Sequence, residues 1–209
     1  GRNDAATRAA SREALARYGL ASETEELYPF ELSGGMARRV LIATAVVEHP
    51  RLVIADEPTP GLDMASARRI LSHLREIADE GAGILLITHD LEQALAVADR
   101  VVVFYAGETI EEAAVTDFSE LSKLRHPFTK ALWRAMPQHG FQPISGAQPY
   151  PGTVEKGCPF VDSCVDCVDK CRLVENIPLR EVRGGWVRCL QAERPSRRES
   201  TTPGEEVLP

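Results

Sequence analysis

Apolar and polar positions follow two rhythms along this chain. Residues 4–18 (DAATRAASREALARY) are dominated by good helix formers and stop at Gly19, a residue suited to a helix C-cap. After a short loop, LSGGM opens a second predicted helix that runs to about Val47. RLVIADEP then sets four apolar residues between Arg51 and Asp56, the pattern of a buried parallel strand that ends in acids. Pro58 and Pro60 force a turn. Residues 64–79 return to helical spacing, with Ala67, Ile70, Leu71, Leu74 and Ile77 on one face. A second apolar strand, GILLITHD, follows Gly81 and Gly83, and a helix over 91–98 leads to a third apolar run, RVVVFYAG. Helices alternating with continuous apolar strands predict an α/β domain with a largely parallel sheet.

From about Pro137 to Gly157 the composition shifts to Pro, Gly and Gln, which reads as an extended linker. The pattern therefore predicts an α/β domain over 1–135, a linker over 136–157, a small Cys-rich module over 158–190 and a disordered tail over 191–209, where too little apolar content remains to pack. At 209 residues and 22.9 kDa, with 44% hydrophobic and 26% charged residues, the chain can bury a core and is not a disordered or coiled-coil protein. A net charge of -7 argues against a nucleic-acid binder that blankets phosphates. No apolar run approaches the ~18 residues of a membrane-spanning helix, so a soluble, cytosolic protein is expected. The first residue is Gly1 rather than Met, and the sequence reads as part of a longer protein.

Ligands of α/β sheets collect at the carboxyl ends of the strands. Asp56 and Glu57 end one predicted strand and His89 another. An aspartate there can hold Mg²⁺ on a nucleotide, the next carboxylate can orient or deprotonate water, and a histidine can bond a terminal phosphate. Each residue alone has a plainer role as a cap or a structural group. Ser33-Gly34-Gly35 at a helix start adds unpaired N–H groups and a close backbone approach for phosphate. The ordered set LSGGM, LVIADEP, GLD at Gly61 to Asp63 and THD at Thr88 to Asp90 leaves little room for chance.

Over roughly residues 10–135 this set resembles the C-terminal portion of an ABC-transporter ATPase. The resemblance makes LSGGM the signature motif, LVIAD the Walker B strand, Glu57 the catalytic carboxylate, Pro60 to Asp63 the D-loop and His89 the switch histidine. It also implies that Ser33, Gly34, Gly35, Asp56 and Asp63 serve nucleotide binding. YPFELSGGM, IADEPT, YAGETIEE and HPFTKALWRAMP are similar to the oligopeptide/dipeptide/nickel importer branch. The fold so implied is a partial P-loop NTPase-type α/β domain. A phosphate-cradling loop needs GxxxxGK followed by Ser or Thr, and no Gly-Lys pair occurs in the chain. The chain alone is therefore expected to be inactive.

All five cysteines lie within 32 residues, spaced C-x5-C-x2-C-x3-C-x17-C. An odd count favours metal chemistry over disulfides in a cytosolic protein. Zinc fits poorly, since only Cys164 and Cys167 form a CxxC knuckle. The resemblance implies a 4Fe-4S cluster on Cys158, Cys164, Cys171 and Cys189, with Zn²⁺ as the alternative and Cys167 as an extra thiol. The function implied is the ATP-hydrolysing subunit of a prokaryotic importer for peptides, nickel or related solutes, using ATP and Mg²⁺. Its implied partners are a second ATPase subunit, integral membrane permease subunits and, indirectly, a solute-binding protein, with no nucleic acid. It would sit peripherally on the cytoplasmic face of the cell membrane. The alternatives are a non-transport ABC ATPase of the carbon-phosphorus-lyase kind and a non-catalytic scaffold with a metal cluster.

Overall fold

The computed structural model describes residues 5–193, which fall into two compact units divided between Val97 and Ala98. In the first unit, helix α1 (Ala5–Arg17) and helix α2 (Gly34–Val46) flank two short 3₁₀ turns, Ser22–Glu26 and Pro29–Glu31. Strand β1 (Leu52–Asp56), helix α3 (Met64–Asp79), strand β2 (Gly83–Ile87) and helix α4 (Leu91–Val97) follow. The two strands pair in parallel, Leu52 with Gly83 through Asp56 with Ile87. Parallel neighbours need a crossover connection of a dozen or more residues, which α3 supplies.

The stripe read from sequence on α3 is the stripe that is buried, Ala67, Ile70, Leu71, Leu74 and Ile77. Leu71, Leu74 and Ile77 pack with Tyr18, Ala43, Val46 and Val53 into the core of the unit. The strands are covered on one face only. Val53, Ala55, Ile84 and Leu86 face that core, whereas Leu52, Ile54, Leu85 and Ile87 are all exposed. A continuous apolar run gives apolar residues to both faces of a strand, and here just one of them is packed.

The second unit corrects two expectations. The third apolar run forms strand β3 (Arg100–Tyr105), which pairs antiparallel with strand β4 (Glu108–Ala114) and not with the parallel pair. Ala106 (φ 51°) and Gly107 (φ 83°) link them as a two-residue hairpin turn with both central residues left-handed, the geometry that matches strand twist. The Cys-rich segment is also not separate. Its strands β5 (Arg180–Val182) and β6 (Gly185–Val187) extend the same sheet in the order β3-β4-β6-β5. The compact units thus divide at 97/98 rather than near 135.

Helix α5 (Pro127–Ala135) and the single turn α6 (Lys170–Leu173) complete this unit. A buried ion network ties it together. The Glu111 carboxylate accepts the backbone N–H of Arg125 (2.9 Å) and of His126 (2.7 Å) and the Arg125 guanidinium (3.3 Å). That guanidinium also donates to Asp117 and to the carbonyls of Val182 and Arg183. Of the expected tail, Ala192 is buried against Val182, Val187 and Cys189. Residues 194–209 lie outside the described residues. Among the described residues no helix is long and apolar enough to cross a membrane.

Candidate functional site

The carboxyl ends of β1 and β2 bring Glu57 and His89 together. Oε1 of Glu57 accepts hydrogen bonds from the His89 ring Nδ1 at 2.8 Å and from the His89 backbone N–H at 3.2 Å. The Glu57 backbone N–H donates to the Ile87 carbonyl at 2.9 Å, so residues beyond the last strand pair remain stitched across the sheet. Glu57 adopts φ 44°, a left-handed conformation that costs a non-glycine residue on the order of 1–3 kcal/mol. Strain of that size persists only where surrounding bonds enforce it. The hydrogen bond to Glu57, and then its charge, raise the His89 pKa above its ordinary value. Oε2 of Glu57 is buried without a hydrogen-bond partner, while the neighbouring Asp56 is exposed. An orphaned carboxylate oxygen beside an open one suits a site that receives a further polar or cationic group.

Ser33 caps α2, its Oγ accepting the Met36 N–H at 3.3 Å. The α2 start lies close to the α3 start: a Cβ built on Gly34 would meet Leu62 at 3.9 Å, and one on Gly35 would meet Ser66 at 3.7 Å. Asp63 caps α3, taking the Ser66 N–H (3.0 Å) and hydroxyl (2.7 Å), bonds that lower its pKa. Sequence reading missed Arg39. Its guanidinium donates to the carbonyls of Gly19 (2.8 Å), Tyr18 (3.2 Å) and Gly35 (3.3 Å), fastening the SGG turn to the end of α1. Its one signal was its place four residues after Gly35.

Cys158, Cys164, Cys171 and Cys189 line a common cavity together with His126. Cys167 does not, its thiol pointing to the Val168 carbonyl at 3.6 Å. Gly157, next to Cys158, adopts φ 83°, where a Cβ would stand 2.7 Å from the Cys171 carbonyl oxygen. All five cysteines are free, and burial pushes the thiols of Cys158 up to about 11 and of Cys164 and Cys189 up to about 12. His126, whose pKa burial lowers to about 3, accepts the Phe128 N–H at Nδ1, so its proton sits on Nε2, 3.9 Å from the Cys158 sulfur. This histidine was also missed, although it opens the HPF stretch as the residue just before α5.

The iron-sulfur expectation meets a poor fit. The cavity measures about 10 Å³, the space of a single water molecule, and among the described residues no three His, Cys, Asp or Glu are grouped to hold a metal ion. Cysteines around so small a space are packed as a small core, not as an open cluster cradle.

Residues 2–60 match the sequence family described as ABC transporter, and residues 110–171 match the family described as oligopeptide/dipeptide transporter, C-terminal region. These two segments resemble ATP-binding proteins of the oligopeptide/dipeptide branch of ABC transporters. It is 35% identical over 198 residues to the oligopeptide transport ATP-binding protein AppD of Bacillus subtilis, covering 92% of this chain and 60% of that protein. The dipeptide transport ATP-binding protein DppD of Haemophilus influenzae is 37% identical over 156 residues, covering 72% and 47%. OppD of Mycobacterium tuberculosis is 38% identical over 173 residues, covering 79% and 28%. The chain thus spans 60% or less of the length of these relatives.

A solved ATP-binding cassette of an ABC transporter superposes with a TM-score of 0.51 at 25% identity, covering 56% of this chain and 48% of that one. An inward-facing ABC transporter described as of the metal-chelate type gives 0.53 at 22%, covering 59% and 49%, which speaks for the fold alone. The partial ABC cassette fold expected from sequence is therefore present. These relatives are named for oligopeptide and dipeptide transport, and the nickel and iron-sulfur expectations find no support among them.

Proposed function

We propose that this chain supplies the signature and hydrolytic half of the nucleotide site in the ATPase subunit of a prokaryotic peptide importer. The observation that carries the reading is the Glu57–His89 pair at the ends of two parallel strands, with Asp56 one residue before. Glu57 polarises the attacking water and His89 steadies the transferred phosphate, while Asp56 would hold Mg²⁺, which would supply charge neutralisation at the phosphate. Ser33, Gly34 and Gly35 present the N–H groups of the capped α2 start to the ATP held by a second subunit. Asp63, at the adjacent α3 start, orders the turn between the two motifs.

No Gly-Lys pair exists in the 209 residues, so the phosphate cradle comes from other sequence, joined to this chain or separate. The open apolar face of Leu52, Ile54, Leu85 and Ile87 is where such a segment packs. Membrane permease subunits receive the work of closure, and the subunit sits peripherally on the cytoplasmic face. A purified 209-residue chain then turns over no ATP and binds it weakly. Turnover by that chain, abolished by Glu57→Gln, would refute the need for an outside cradle.

A further inference from the structure

A cavity of about 110 Å³ in the second unit lies against α5. Pro127, Ala131 and Arg134 of that helix reach it from one face, at the four- and three-residue spacing that brings helical side chains together. The chain after α5 forms a second wall and is pinned there. The Phe141 N–H donates to the Met136 carbonyl at 3.2 Å, and the Gln142 N–H to the Arg134 carbonyl at 3.0 Å. Phe160 and Ser163 belong to a third wall. Gly146 (φ 94°) approaches that wall so closely that a Cβ on it would collide with the Ser163 hydroxyl.

Arg134, Gln142, Ser145 and Ser163 give the cavity a guanidinium, an amide and two hydroxyls. Among the described residues none of these four side chains has a hydrogen-bond or ion-pair partner, and no Asp or Glu lines the cavity. The other arginines of the unit differ. Arg100, Arg125, Arg172, Arg180, Arg183 and Arg188 each donate to a carboxylate or a carbonyl. Arg134 alone among the described arginines of this unit is left open, although it is half-buried. Ala131, Ile144 and the buried Phe160 make the floor apolar. An apolar pocket with a few convergent polar groups is the ordinary form of a small-molecule site.

A guanidinium free to make two parallel hydrogen bonds takes a carboxylate. The floor beside it takes hydrocarbon, and with no acid in the lining a ligand ammonium would lack a counter-charge. An apolar cavity of about 150 Å³ holds benzene, so this smaller one suits a chain of about four carbons. We propose that the cavity is a binding site for a monocarboxylate with a short, branched apolar chain. Arg134 holds the carboxylate, Ser145 and Ser163 are further donors, and Ala131, Ile144 and Phe160 cover the chain. The site is independent of the hydrolytic reading, since Glu57 and His89 belong to the other unit.

The test is an NMR titration of the purified chain, without nucleotide, with isovalerate as a free acid and N-acetyl-leucine as a peptide-like carboxylate end. Isoamylamine and inorganic phosphate are the controls. Isovalerate binds with a dissociation constant on the order of 1 mM, as suits so small a ligand, and shifts the amides of residues 142–145. Isoamylamine does not bind, and phosphate binds at least about tenfold more weakly because it leaves the apolar floor uncovered. Tighter binding of N-acetyl-leucine assigns the site to peptide ends, and weaker binding assigns it to free acids. Arg134→Gln weakens isovalerate about tenfold or more, the scale of a lost charge-assisted pair. Ala131→Leu fills the cavity and abolishes binding, and both variants keep the circular dichroism spectrum of the wild type. Absence of saturable binding by either carboxylate would overturn the proposal. So would equal binding of phosphate or isoamylamine, or an Arg134→Gln chain that binds isovalerate as well as the wild type does.

Discussion

Arg125→Met probes the buried network that holds the second unit together. The substitution keeps the length and apolar stem of the side chain and removes four donated hydrogen bonds, to Val182 O (2.5 Å), Arg183 O (2.6 Å), Asp117 Oδ2 (2.9 Å) and Glu111 Oε1 (3.3 Å). Glu111, with no exposed surface, is left charged with two backbone N–H donors. Breaking a buried pair from one side costs about 3–5 kcal/mol. Both groups are buried, with side-chain exposures of 2% and 0%, so solvent screening does not reduce this figure. The chain's two tryptophans, Trp133 and Trp186, both lie in the second unit, and their fluorescence in urea follows that unit's unfolding. With a slope of about 2 kcal/mol per molar urea, the midpoint falls by about 1.5–2.5 M. Arg125→Lys recovers less than about half of the loss, because an ammonium cannot reproduce the planar fork. A midpoint drop under about 0.5 M for Arg125→Met would refute the assignment of the network as the tie.

Two further outcomes follow from titration. The raised His89 pKa means that its ionic contact with Glu57 is complete below pH 6.5 and is lost as pH rises through the raised value; NMR titration of the ring should show a midpoint above 6.5 that returns towards it in Glu57→Gln, and an unchanged midpoint would break the link. Thiols held at about 11 to 12 rather than the ordinary 9.0 carry about 10²–10³-fold less thiolate near neutral pH, so iodoacetamide should modify Cys158, Cys164 and Cys189 far more slowly in native than in urea-unfolded protein, and equal rates would show that the pocket is open.

The sequence was most legible where periodicity and local chemistry agree. The α3 stripe and the acids ending β1 could be read because a helix face and a strand end are local properties. The hairpin at Ala106–Gly107 was hidden because Ala at a left-handed position carries none of the Asn-Gly signal, and the apolar run before it looks the same in a parallel and an antiparallel sheet. Joining β6 to β4 requires residues 112 and 186 to meet, a contact that no window of sequence reveals. The resemblance singled out the four cysteines that line the cavity, but the sequence carried no sign of how closely they pack. Glu111 and Arg125 carry no local signal of their pairing, and only the folded chain shows them sealed together.

The most direct measurement is ATP hydrolysis by the assembled transporter, with this chain as wild type and as Glu57→Gln. Gln preserves the shape of the side chain and removes the carboxylate that polarises water. The account predicts a fall in rate by a factor on the order of 10²–10⁴, with ATP binding retained and the ATP-bound assembly accumulating. An unchanged rate would contradict the assignment of Glu57 and with it the hydrolytic role of the Glu57–His89 pair.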